Sequence, residues 1–277
     1  MTPIKINFVD FWPGFNINDN FFTRLLAQDI EISDNPDFVI CSVFGRNYLN
    51  YNCIRIQFIG ENIRPDFQLY DYAFTFDHFE NDRHMRLPLY VVTCNPATTL
   101  LKKPPYSPEL FSRKFCSFVA SNGDAKDRLR FLDRIDQYQT VDCGGPCRNN
   151  VGGRVPDKLA FLQNYKFNMA FENTSHPGYT TEKIFDAMAA NTIPIYWGDP
   201  LVARDFNSKS FINVNDFPDF SSAVEYIAAV DQDPQLYKNI WDEPFLPYNQ
   251  PTTYSDEAKI LARFHEIFGR GQQKRRI

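Results

Sequence analysis

The constraint that most limits what this chain can fold into is the rhythm of its second half. Short apolar runs at Phe115–Ala120, Thr140–Cys143, Phe167–Phe171, Ile193–Trp197 and Phe211–Val214 alternate with segments of helical pattern. Those segments are Ala125–Ile135, with Leu129, Leu132 and Ile135 on one face, Asp157–Tyr165 with Pro156 at its first position, and Glu182–Ala190. The runs lack the strict apolar–polar alternation of a strand with one wet face, so both faces must be covered. Strand and helix in strict alternation then predict a parallel sheet flanked by helices, and such sheets bind ligands beyond the carboxyl ends of their strands.

The first half has a looser version of the same pattern. Ile4–Val9, Asp37–Cys41, Ile54–Ile59, Tyr72–Phe76 and Leu89–Val92 read as strands, and Phe22–Ala27 as a short helix. Thr93–Pro108 holds Pro96, Pro104, Pro105 and Pro108 and cannot be regular structure, which marks a linker. Ser255–Phe268 places Ile260, Leu261, Phe264, Ile267 and Phe268 on one helical face, with Gly269 as its stop. The expected division is 1–110, 111–254, and a closing helix with a basic tail, 255–277.

Composition removes several classes. The 277 residues are 43% hydrophobic and carry a net charge of −5, which suits a globular chain and argues against a nucleic-acid-binding surface. No window approaches the ~18 uncharged apolar residues of a membrane span, and Met1-Thr2-Pro3-Ile4-Lys5 leads directly into a strand rather than a secretory signal. Six cysteines without such a signal read as a reduced, cytoplasmic chain, with only Cys143-Gly-Gly-Pro-Cys147 spaced for a local pair. The histidines His78, His84, His176 and His265 have no ligand spacing, and the single Asp-x-Asp triplet, Asp231-Gln232-Asp233, reads as a loop, so no metal site is expected.

The chemistry concentrates between Lys166 and Asp199. A strand ends at Glu172-Asn173, a loop passes through Pro177-Gly178-Tyr179, and Thr180 or Thr181 caps a helix that opens with Glu182-Lys183. The first backbone N–H groups of a helix lack partners and lie at the positive end of its dipole, so strand, loop and helix start can receive an anion. Lys183 opposes that dipole, which makes sense beside a bound phosphate; an ordinary capped helix with a solvated lysine fits the same residues. Arg128 lies in the first turn of the preceding helix, where it is either a surface arginine or, with Lys183, one of two cations flanking a diphosphate, as a bidentate fork beside a point charge. Neither a Gly-x4-Gly-Lys loop nor a Gly-x-Gly-x-x-Gly fingerprint is present.

Phe171-Glu172-Asn173, Gly178-Tyr179-x-Thr181-Glu182-Lys183 and Ile193-Pro194-Ile195-Tyr196-Trp197-Gly198 together resemble the signature of the α-1,3/4-fucosyltransferases, glycosyltransferase family 10. The likeness extends to Val119-Ala120-Ser121-Asn122, Gly60-Glu61-Asn62 with Pro65-Asp66-Phe67, and Phe206-Asn207-x-Lys209-Ser210-Phe211, so it covers the chain from about Ile4 to Phe268. The resemblance implies a GT-B type α/β fold, two Rossmann-like domains facing each other across a cleft. It implies GDP-fucose in the second domain, a glycan acceptor containing N-acetylglucosamine presented by the first, and inversion at the anomeric carbon; with no metal-binding pattern in the sequence, no obligatory cofactor is expected.

By the same resemblance Glu61 is the base that activates the acceptor hydroxyl, Arg128 and Lys183 contact the phosphates, Glu182 the ribose, and Asn173 and Tyr179 the donor. Glu172 either touches ligand or supports the loop. From the residues alone, Glu61 is a carboxylate at a strand's carboxyl end that loop surface would equally explain. A silent sugar-nucleotide-binding protein and a transferase using another nucleotide sugar remain the alternative readings. The sequence departs from the resemblance in its loop Thr174-Ser175-His176-Pro177 and in lacking C-terminal heptads and C-terminal cysteines. Its tail carries Arg270, Lys274, Arg275 and Arg276, which are either solvated or drawn weakly to an anionic membrane surface.

Overall fold

The computed structural model describes residues 2–94 and 99–274. The chain divides into two compact units, Met1–Thr93 with Thr253–Ile277, and Cys94–Thr252.

Unit 1 is built on a six-stranded sheet in the order β2-β1-β3-β4-β5-β6, every pair parallel. Its strands are β1 Ile4–Val9, β2 Ile30–Ile32, β3 Phe38–Cys41, β4 Ile54–Phe58, β5 Tyr72–Thr75 and β6 His84–Arg86. Register puts Ile6, Phe8, Phe38, Ile40, Ile56, Phe58 and Phe74 on one face, where all are buried. Helix α1, Phe21–Leu25, contributes Phe22 to this face. The C-terminal helix α9, Glu257–Lys274, closes it: Phe264 stacks on Phe74 at 4.7 Å and Phe268 meets Phe38 edge-on at 4.8 Å.

Unit 2 carries a five-stranded parallel sheet in the order β11-β10-β9-β7-β8. Its strands are β7 Lys114–Phe118, β8 Val141–Cys143, β9 Tyr165–Phe171, β10 Ile193–Trp197 and β11 Ile212–Asn213. The central strand β9 is buried along its whole length, Lys166 and Asn168 included, as suits a strand covered on both faces; Lys166 pairs with Asp231 and Asn168 donates to Ser117 O at 3.0 Å. The flanking helices include α4 Lys126–Ile135, α5 Lys158–Leu162, α6 Glu182–Ala189, α7 Phe220–Gln232 and α8 Pro234–Asp242. The described residues also hold two shorter helices, α2 Leu89–Thr93 in unit 1 and α3 Pro108–Phe111 in unit 2.

Several expectations change. Leu89–Val92 is helical, not a strand, because a short buried apolar run has no periodicity to separate the two states. The sixth strand is instead the polar His84–Arg86, held by its pairing with β5. Helix α5 begins at Lys158, two residues after Pro156; Asp157 is its N-cap, accepting from Ala160 N at 3.0 Å. The triplet Asp231-Gln232-Asp233 is no loop: Asp231 and Gln232 end α7, and Asp233 caps α8.

Gly269 does not stop the last helix, which continues to Lys274. A Cβ on Gly271 would lie 2.5 Å from Phe38 and 2.6 Å from Ile54, so a glycine there lets the helix approach the sheet. This helix therefore belongs with unit 1 rather than standing apart, and the expected boundary near residue 110 falls at Cys94. Of the expected linker, Pro96 lies outside the described residues, as do Arg275 and Arg276 of the tail. Among the described residues, no helix is long and apolar enough to cross a membrane, and Cys41, Cys116, Cys143 and Cys147 are in no disulfide.

Because Phe264 is fully buried between Phe74 and Phe22, Phe264→Ala should destabilise unit 1 by about 3–5 kcal/mol. Urea unfolding followed by circular dichroism checks this; an unchanged midpoint would show that α9 is not part of the core.

Candidate functional site

The segment after β9 is organised by one carboxylate. Glu172 has no exposed surface, and its backbone N–H donates to Trp197 O at 2.9 Å, which continues the β9–β10 ladder by one residue. Its Oε1 accepts from Thr181 N at 2.7 Å, and its Oε2 accepts from Thr181 Oγ1 at 2.7 Å and from Lys183 Nζ at 3.0 Å. Thr181 is the N-cap of α6 by backbone position, yet its hydroxyl makes no cap bond because it is turned towards Glu172. The buried charge thus takes over one of the orphan N–H groups at the helix start.

Lys183 donates also to Thr181 Oγ1 at 2.8 Å and pairs with Glu182 at 3.6 Å. Burial by itself would lower its pKa, but the charges of Glu172 and Glu182 hold it above the ordinary lysine value. Glu182 is about one third exposed, and although burial opposes ionisation, Lys183 and Lys158 hold its carboxyl below the usual range. Both groups are therefore charged at neutral pH.

Arg128 is not a surface residue: it is 1% exposed. Nε and Nη2 both donate to Phe171 O, at 3.2 and 2.8 Å, Nη2 donates to Asn173 Oδ1 at 2.6 Å, and Nη1 to Asn122 O at 3.4 Å. Four of its five N–H groups are thereby committed to the end of β9 and the loop before α4. Burial pulls its pKa down, opposed first by Glu172 and then, among other groups, by Tyr179 and Glu182. The expected bidentate fork is consumed by the chain itself, which leaves a fixed positive charge and a single N–H.

The structure gathers Arg128, Glu172, Asn173, Glu182 and Lys183 around the start of α6, and Tyr179, 1% exposed, lies within electrostatic reach of Arg128. Glu61 is elsewhere. It follows β4 in unit 1, half-buried, with its carbonyl accepting from Ile63 N at 2.6 Å, and the neighbouring Arg64 donates to Asn62 Oδ1 and pairs with Asp77 at 3.5 Å.

Sequence reasoning assigned no part to Asp199 and Gly198. Asp199, with no exposed surface, accepts from Gly178 N and Leu201 N, each at 2.7 Å, and from Thr180 Oγ1 at 2.9 Å, pinning the loop that carries Tyr179. Gly198 has φ +151°, and a Cβ there would sit 2.5 Å from Glu172 Cγ, so only glycine leaves room for the carboxylate. The available signal was a glycine followed by an acid directly after the buried β10. For metals, no group of three His, Cys, Asp or Glu side chains is placed to hold an ion among the described residues.

Glu172→Gln keeps the shape but leaves Lys183 only the longer pair with Glu182 at 3.6 Å, and should cost about 3–5 kcal/mol of stability, as for breaking a buried pair. Since the Lys183 pKa is raised, its contribution is fully present below the unfolded value of about 10.4 and is lost as pH rises through the folded one. The stability gap between wild type and Lys183→Met should hold steady from pH 6 to 9, an interval below about 10.4, and close only beyond it. Thermal melts across pH check both.

Two family models match this chain. Residues 6–93 match the alpha-(1,3)-fucosyltransferase FucT N-terminal domain, and residues 111–255 match the glycosyltransferase family 10 (fucosyltransferase) C-terminal region. The alpha-(1,3)-fucosyltransferase FucT of Helicobacter pylori is 39% identical over 96% of this chain and 66% of its own length, so the chain spans slightly under two thirds of that relative. A crystal structure of an alpha1,3-fucosyltransferase with GDP-fucose superposes with TM-score 0.80 at 34% identity, covering 96% of this chain and 90% of the other. Anabaena HepE in complex with UDP and glucose, 10% identical with TM-score 0.54 over 96% of this chain and 99% of its own, shares the fold alone. Two parallel α/β units of GT-B type and both family models lead to one statement: this chain belongs to the glycosyltransferase family 10 fucosyltransferases.

Proposed function

We propose that the chain is an inverting α-1,3-fucosyltransferase that moves L-fucose from GDP-fucose to O3 of N-acetylglucosamine in an acceptor of the N-acetyllactosamine type. The observation that carries this reading is the likeness over 96% of the chain to a fucosyltransferase solved with GDP-fucose. The two family models, over residues 6–93 and 111–255, take in Glu61 and the Lys183 cradle.

In unit 2 the start of α6, the Lys183 ammonium and the remaining N–H of Arg128 receive the diphosphate, Glu182 meets the ribose hydroxyls, and Asn173 and Tyr179 hold the donor. When the bond between the fucose anomeric carbon and the phosphate oxygen breaks, negative charge grows on that oxygen, and cations already in place stabilise it without reorganising. In unit 1 Glu61 takes the proton from the acceptor hydroxyl as its oxygen attacks the anomeric carbon from the opposite side; GDP leaves and the configuration inverts. In this reading Lys183, Arg128 and the start of α6 meet the diphosphate charge without a metal. The two acids of the Asp-x-Asp triplet have other duties: Asp231 pairs with Lys166 and accepts from Tyr138, and Asp233 accepts from Gln235 N at 2.7 Å.

The test is incubation of GDP-fucose with N-acetyllactosamine in the presence of EDTA, measuring GDP and fucosylated product. Equimolar amounts of the two are expected. Donor binding without product would contradict transfer, and loss of turnover in EDTA restored by Mn²⁺ would contradict the charge balance. Glu61→Gln should lower kcat by about a hundredfold or more, the range of a general base, with GDP-fucose affinity unchanged. Near-normal transfer by this variant would remove Glu61 from that role.

A further inference from the structure

The first and last segments of unit 2 line an open pocket that the cradle at α6 does not use. Its volume is about 220 Å³, and its wall includes Lys103, Tyr106, Trp241, Asp242 and Asn249. Trp241, 1% exposed, ties the two segments together, its Nε1 donating to Pro104 O at 3.2 Å. Lys103 Nζ donates to Glu243 O at 2.7 Å and lies 4.0 Å from the Phe245 ring centroid and 4.9 Å from that of Trp241. Burial pushes this ammonium down to about 7, against the pull of Asp242 and Glu243. An amine poised there both donates to and accepts from a hydroxyl, which a fixed cation cannot do.

The residue before Asn249 of the wall carries a second, independent feature. The turn Leu246–Asn249 is closed by Asn249 N donating to Leu246 O at 3.0 Å, with Tyr248 at φ +56° and Asn249 at φ +52°. The third place of such a turn is one that glycine or asparagine takes, and a tyrosine there is strained. Such strain persists only where the surroundings over-determine it, and it concentrates at binding sites. Here it leaves the Tyr248 side chain 94% exposed beside Asn249, with Leu246 and Phe245 buried beneath as anchors. A fully displayed ring adds nothing to the core.

We propose that this pocket and the Tyr248 ring form a second sugar-binding site, which takes one neutral hexose ring of a glycan independently of the donor. Lys103, Asp242 and Asn249 give a wall with many hydrogen-bonding groups and no net positive charge, which matches hydroxyls rather than phosphate or carboxylate. The volume falls below the roughly 300–1,000 Å³ of drug-sized pockets and suits a single ring. An aromatic face covers the C–H face of the sugar while Asn249, Asp242 and Lys103 address its hydroxyls.

The test needs no donor, so it stands or falls separately from fucosyl transfer. The full chain is nitrated with tetranitromethane, and separately acetylated, with and without saturating lactose, N-acetyllactosamine, N-acetylglucosamine or fucose, and each site is read by mass spectrometry. At least one sugar should reduce labelling of Tyr248 and Lys103 about fivefold, as expected where 70–90% of a bound ligand's surface is enclosed. Tyr226, which is 40% exposed, should be labelled equally in both conditions. Asn249→Gly keeps the left-handed backbone and removes the amide, and should abolish the protection. Equal labelling of Tyr248 and Lys103 with every sugar would overturn the site, and so would protection that survives unchanged in Asn249→Gly.

Discussion

The carboxylate of Glu172 lies where no water reaches it, and the arrangement around the start of α6 depends on how its charge is met. A buried carboxylate without partners would be costly by several kcal/mol, so the chain surrounds this one with two donors from Thr181 and the ammonium of Lys183. The consequences run both ways along the sequence. Thr181 gives up its usual capping bond, Lys183 is held in the first turn of a helix where the dipole disfavours it, and position 198 must be glycine. Glu172 is best understood as the fixed point that sets Lys183 in place, with Arg128 doing the same for Phe171 and Asn173.

Charge accounting explains why such a site needs burial rather than excess positive charge. Arg128 and Lys183 are matched by Glu172 and Glu182, so the four groups sum to zero. In the proposed reading a diphosphate is attracted by local placement: backbone N–H groups at a helix start and a lysine already desolvated. Interactions of that kind strengthen in low-dielectric surroundings, which suits a charge that grows during bond breaking.

Much of this was legible before any coordinates. The mostly apolar runs at Phe167–Phe171 and Ile193–Trp197, alternating with helical segments, read as buried parallel strands, and β9 and β10 pair there residue for residue. The residues named around the start of α6 do lie together. What could not be read were properties set by tertiary contact. The pattern around Arg128 is that of an amphipathic helix, and nothing local says that its guanidinium turns inward to Phe171 O. Gly269 looks like a helix stop until Gly271 is seen against Phe38 and Ile54, and His84–Arg86 becomes a strand only through β5. Asp199 was invisible for the same reason: its three partners are spread from Gly178 to Leu201.

The central claim is that Lys183, fixed by Glu172, is the cation that meets the diphosphate of the donor. The most direct measurement is a GDP binding isotherm on Lys183→Ala, taken at a temperature where circular dichroism shows the variant folded. Loss of one charge-assisted contact amounts to about 1.5–3 kcal/mol, so affinity should fall roughly ten- to a hundredfold. A folded Lys183→Ala protein that binds GDP as tightly as the wild type would contradict the account.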